Sequence, residues 1–101
     1  MSNYRRGARF ENRVKAFLEE AGYAVIRSAG SRGIADLWAK SPHTLSVYFI
    51  QCKRSGRLPP NTMRDLHRYA NAYTATPIIA KKGRDGEIVF VNLNTGRRWT
   101  P

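Results

Sequence analysis

Apolar residues recur with a helical period through the first twenty positions. Phe10, Val14, Phe17, Leu18 and Ala21 fall at i, i+4, i+7, i+8 and i+11, the stripe of a helix buried along one side, and this predicts a helix over residues 4–21 closed by Gly22. The pattern then changes to strands. Tyr23–Arg27 is short and β-rich, Ile34–Trp38 and Val47–Lys53 flank the turn Ser41-Pro42-His43-Thr44, and the pair predicts an antiparallel hairpin. Two prolines in the stretch Arg54–Pro60 predict irregular backbone. A second helix follows, with Thr62 as cap and Asp65 as its partner, and with Met63, Leu66, Ala70 and Tyr73 as its buried stripe. Strands over Thr76–Lys81 and Glu87–Leu93 are joined by a turn with an Asp85-Gly86 signal, and a polar tail carries Trp99. The order α-β-β-β-α-β-β, with the second helix as a crossover, predicts an α/β domain built on a central mixed sheet flanked by helices, one domain over residues 1–101.

Polar residues interrupt this pattern where strands are expected to be apolar. Asp36 stands between Ala35 and Leu37, and Gln51 and Lys53 close the run Val47–Cys52. Alternation puts Ile34, Asp36 and Trp38 on one face, and Val47, Phe49, Gln51 and Lys53 on one face of the next strand. A turn centred between Pro42 and His43 sets Asp36 opposite Phe49 and diagonal to Gln51. A carboxylate, an amide and an ammonium then meet at one end of the hairpin. Unpartnered burial of such groups is costly, so they either pair or hold a ligand. The oxygens of Asp36, Gln51 and a nearby backbone carbonyl suit a hard cation such as Mg²⁺, and Lys53 beside it would steady phosphate charge. The plainer alternative is a surface ion pair between Asp36 and Lys53. Glu11 borders the buried helix stripe, where it either pairs with Lys15 or points at the hairpin as a further acidic group.

Charge narrows the partner. Eighteen Lys and Arg against seven Asp and Glu give a net +11, which favours a polyanion, nucleic acid first. Arg5, Arg6, Arg9 and Arg13 crowd the first helix, and Arg54 and Arg57 follow Lys53. Together they would form a phosphate-binding rim. The loop Ser28–Gly33 has two glycines that permit close backbone approach, and Ser31 and Arg32 can hydrogen-bond a phosphate. No apolar run is long enough to span a membrane and no signal peptide is evident, which predicts a cytoplasmic protein. The single cysteine, Cys52, reads as core filler, and one Cys with two scattered His gives no zinc pattern.

Asp36, a fourteen-residue spacer and Gln51-Cys52-Lys53 look like the motif of PD-(D/E)xK nucleases. With Glu11 in a preceding helix and the Gly30-Ser31-Arg32-Gly33 loop, the first 80 or so residues resemble archaeal-type Holliday junction resolvases and their phage relatives. Ala35 replaces the proline of the motif, and Gln51 replaces its usual acid. The resemblance implies a restriction-endonuclease-like core and a Mg²⁺-dependent endonuclease, with Mn²⁺ as the second candidate metal, acting on four-way DNA junctions as a homodimer. It implies Glu11, Asp36, Gln51 and the Cys52 carbonyl as metal ligands, Lys53 at the attacking water or scissile phosphate, and Ser31 as a phosphate-positioning group. Tyr73, Ile79 and Trp99 are candidates for the dimer face. Two alternatives stay open: a nuclease of the same superfamily acting on flaps, ends or duplex, and a non-catalytic nucleic-acid-binding relative, for which the missing acid at Gln51 argues.

Overall fold

The computed structural model describes residues 3–28 and 35–101. The elements are α1 (Asn3–Glu20), β1 (Ala24–Arg27), β2 (Leu37–Lys40), β3 (Val47–Cys52), α2 (Pro60–Ala72), β4 (Thr76–Lys82), β5 (Ile88–Asn92) and β6 (Arg98–Trp99). The six strands form one sheet in chain order. Among the described residues only β3 and β4 run parallel, and α2 makes the crossover between them. The predicted mixed-sheet α/β architecture is therefore the one adopted, with β6 added at the edge.

Each helix covers its own core. Phe10, Val14 and Leu18 of α1 pack on Leu37, Ala39, Ile50, Ile78, Ala80 and Phe90. Leu66 and Ala70 of α2 pack on Ala35, Phe49 and Ala75. Val14, Leu18 and Leu66 are fully buried, each worth about 1.5–3 kcal/mol of transfer free energy. The α1 stripe is narrower than its periodicity implies: Phe17 is 46% exposed and leans on the Phe90 ring at 5.9 Å, and Ala21 is exposed. The helix ends at Gly22 (φ +94°), with Tyr23 N–H bonded to Leu18 O and Gly22 N–H to Glu19 O.

Four expectations are corrected. The β2–β3 loop is longer than a turn centred at Pro42-His43, because Ser41 N–H bonds Ser46 O and Lys40 pairs with Val47. Phe49 consequently faces Trp38, not Asp36, and the two rings stack at 4.9 Å. The prolines begin α2 instead of excluding it: Pro59 is the N-cap and Pro60 the first helical residue, where a missing N–H costs nothing. No side-chain cap bond from Thr62 is made. Tyr73, expected in the stripe, is the C-cap and is 63% exposed.

Trp99 lies in β6 and packs within the chain on Tyr48, Phe90 and Tyr23 at 4.6, 5.4 and 5.9 Å between ring centroids. Ile79 is 4% exposed and part of the core. Of the three candidates for a dimer face, Tyr73 alone stays at the surface. Among the described residues no helix is long and apolar enough to cross a membrane.

Candidate active site

Asp36 sits in a bend just before β2. Strict alternation fails there. Ala35 is buried in the α2-side core, while Leu37, two residues on, is buried in the α1-side core. The Asp36 carboxylate reaches across to the end of β3, where its Oδ2 accepts the Cys52 N–H at 2.7 Å, and its own carbonyl accepts Ser28 N–H at 3.0 Å. Continuing the β2–β3 register by one residue from the Leu37–Ile50 pair sets Asp36 opposite Gln51. The side chain of Gln51 is buried, 6% exposed in a strand otherwise apolar up to that point.

Glu11 comes to the same place from α1. It does not pair with Lys15, which bonds Glu19 at 3.1 Å. Its Oε1 instead meets Arg27 Nε at 3.0 Å, and the Arg27 guanidinium also donates to the Asn12 side-chain oxygen. Burial, and then the charge of Asp36, push the Glu11 carboxyl above its ordinary value, partly offset by Arg27. Burial likewise raises Asp36, opposed by the Cys52 amide and by Lys53. The Cys52 thiol is pushed far up by burial first and then by Asp36 and Glu11, so it stays protonated. The five groups thus sense one another from α1, β1, the β2 bend and the end of β3.

Two part-buried carboxylates, of which Asp36 raises Glu11, beside a buried amide and the carbonyl-bearing end of a strand have the oxygen chemistry that suits a hard divalent cation. A neutral thiol does not. Any contribution of Cys52 to such a set would come from its carbonyl.

The family model of the archaeal Holliday junction resolvase Hjc matches residues 2–98. The chain belongs to the archaeal Holliday junction resolvase family. A relative, the crossover junction endodeoxyribonuclease Hjc of Methanocaldococcus jannaschii, is 34% identical over 93 residues, which span 88% of this chain and 67% of the relative. The solved structure of Archaeoglobus fulgidus Hjc, a Holliday junction resolvase from an archaeal hyperthermophile, is alike in fold, with a TM-score of 0.75 at 24% identity over 87% of this chain and 78% of that one.

In this resolvase-family chain the expected residues are only partly gathered. Glu11, Asp36, Cys52 and Lys53 act on one another, and Gln51 falls opposite Asp36 by register. Ser31 and Arg32 lie outside the described residues. Arg6, Arg9, Arg13 and Arg54 line one open pocket, whereas Arg57 is exposed on the loop beyond β3. Sequence reasoning missed Arg27, although a charged residue ending the strand that pairs with the Asp36 segment was a usable signal. It also missed Lys82, which ends β4 beside Arg54.

Proposed function

We propose that this protein is a Mg²⁺-dependent endonuclease (Mn²⁺ serving as the alternative metal) that resolves four-way DNA junctions by paired symmetrical nicks. The observation that carries this reading is the Glu11–Asp36 pair: two part-buried carboxylates from separate elements, each raised above its ordinary value, beside Lys53. Membership of the resolvase family supports the choice of substrate.

Glu11, Asp36, Gln51 and the Cys52 carbonyl would hold the metal. When bound, it supplies a water acidified toward neutral pH and a Lewis acid for the phosphoryl oxygens. The chain's own residues do the rest. The Cys52 amide fixes the Asp36 carboxylate, and Arg27 orients Glu11. Lys53 stands at the scissile phosphate, where its ammonium offsets the charge that develops during in-line attack. Ser31, five positions before Asp36 in the sequence, would position the same phosphate. Arg5, Arg6, Arg9, Arg13, Arg32, Arg54 and Arg57 hold the DNA backbone. A four-way junction is two-fold symmetric, and two coordinated cuts need two sites, so the working form is a homodimer in the cytoplasm.

The test is cleavage of a synthetic four-way junction beside linear duplex of the same sequence, with Mg²⁺ or EDTA. Paired nicks in the junction only are expected, lost in EDTA and reduced by at least about 10²-fold in Asp36→Asn and Lys53→Ala. Equal cutting of duplex would overturn the substrate. Tight binding without cutting in either Mg²⁺ or Mn²⁺ would overturn the enzyme.

A further inference from the structure

Asn12 follows Glu11 in the middle of α1, at an exposed position where asparagine is a poor helix former. It lies too far inside the helix to cap either end. Its Oδ1 instead accepts a hydrogen bond from the Arg27 guanidinium, whose Nε meets Glu11 Oε1 at 3.0 Å. Neighbouring side chains of a helix point about 100° apart. One group that reaches both residues must therefore lie across the ridge between them. A guanidinium can do this, because Nε and the terminal Nη2 present their hydrogens along one edge of a rigid plane. Glu11 takes one end of that edge and Asn12 takes the other. An ammonium on a flexible stem would offer no such edge.

With both ends engaged the plane is fixed, and so is the Glu11 oxygen that lies on it. Held by Glu11 alone, the plane pivots on one contact and the carboxylate turns with it. The root of Arg27 is fixed as well. Arg27 pairs with Leu37 in the β1–β2 ladder, and the next residue, Ser28, donates its N–H to Asp36 O at 3.0 Å. The clamp therefore runs from two adjacent α1 residues, through one side chain, to the segment that carries Asp36. The Arg27 side chain is 44% exposed, so these contacts add little to stability. What they supply is direction: the α1 carboxylate is set against the one at the β2 bend. Groups that orient metal ligands in this way are worth much more in metal affinity than in folding.

We infer that Asn12 is a positioning residue, which locks the Arg27 guanidinium in the plane from which Glu11 presents its other oxygen to the divalent cation. This rests on the reading of Glu11 as a metal ligand. Asn12 itself touches neither metal nor DNA in this role; it acts through Arg27 alone.

The experiment measures Mg²⁺ affinity by calorimetry, at a pH well above the carboxylate range, for the wild type, Asn12→Ala, Asn12→Asp, Arg27→Met and the double variant Asn12→Ala/Arg27→Met. Solvent exchange of the Arg27 Nε–H is followed by NMR on the metal-free proteins. Asn12→Ala is expected to bind Mg²⁺ roughly two- to tenfold more weakly and to exchange its Nε–H faster. Its unfolding midpoint is expected to move by no more than roughly 4 °C, since alanine's better helix propensity offsets one exposed hydrogen bond. The loss of affinity is expected to vanish in the Arg27→Met background. Asn12→Asp, which keeps an accepting oxygen in place, is expected to bind at least as tightly as the wild type. An unchanged affinity in Asn12→Ala, or a loss of the same size without Arg27, would overturn the assignment. Faster Nε–H exchange in Asn12→Ala, with no Mg²⁺ binding by the wild type, would keep Asn12 as the residue that positions Arg27 and overturn only the reading of Glu11 as a ligand.

Discussion

Replacing Gln51 with Glu tests the geometry of the acidic pair without touching any group that carries it. Gln51 lies opposite Asp36 by register and is 6% exposed. Cross-strand partners stand about 5 Å apart at Cβ. Two carboxylates at that distance repel by about 3 kcal/mol at an effective dielectric constant of about 20. The introduced group escapes this by taking up a proton, which from an ordinary value of about 4.3 costs about 3.7 kcal/mol at pH 7 and about 1 kcal/mol at pH 5. At pH 7 burial adds to this repulsion and protonation caps the sum, so the metal-free variant loses at least about 3 kcal/mol, whereas at pH 5 the loss is capped near about 1 kcal/mol. For a domain of this size these correspond to midpoints lower by roughly 12–24 °C and roughly 4–8 °C. The assay is thermal unfolding in EDTA across this pH range, repeated with Mg²⁺. A cation at 100 times its dissociation constant returns about 2.7 kcal/mol, so saturating Mg²⁺ is expected to erase most of the deficit at pH 7 and to raise the variant's midpoint more than the wild type's. An unchanged metal-free midpoint at pH 7, or a deficit that does not shrink on acidification, would refute the placement of Gln51 against Asp36.

Three further outcomes follow from the same geometry. Burial raises the Asp36 carboxyl in the folded state, so the metal-free protein loses stability as pH rises from the unfolded value through the folded one; Asp36→Asn is expected to be the more stable form at pH 7 in EDTA, with the difference vanishing below about pH 4 in denaturant melts. Arg27→Met removes both influences that lower Glu11, so the acid limb of Mg²⁺ binding, followed by calorimetry, is expected to move to higher pH while stability changes by no more than about 1 kcal/mol. Thr74, just past the Tyr73 C-cap of α2, holds φ +55°, a left-handed conformation costly for a β-branched residue, and Thr74→Gly is expected to gain about 0.5–1 kcal/mol in urea unfolding after glycine's own entropy cost.

The elements were legible in the chain because their periods are strong. Leu18 and Leu66 recur where a helix needs them, and Val47–Cys52 reads as a strand covered on both faces. The acid at Asp36 and the pair Gln51 and Lys53 stood out because polar groups inside apolar strands ask for a reason. Contacts fixed by geometry that spacing does not encode were hidden. The bend at Ala35-Asp36 breaks the two-residue period, so alternation misassigned what Asp36 faces. The longer β2–β3 loop moved the pairing by two residues, and a turn drawn around Pro42 could not show it. Arg27 was overlooked because its partner Glu11 lies sixteen positions away on another element. The two residues of β6 are too few to give a pattern, and they are held by Trp99 packing on Phe90, a ring contact that no propensity foretells.

Every group assigned to the reaction, from Glu11 to Lys53, is encoded before α2, yet the strand that closes the free edge of β3 is encoded after it. A break in the Arg54–Pro59 link would leave all of the reagents on one fragment. Its Ile50 and Gln51 would lose the Ile78 and Ile79 backbones that hold them in line, and α2 and β4 would be left on a piece with no chemistry. Cutting of DNA would then report the reunion of two separately made halves.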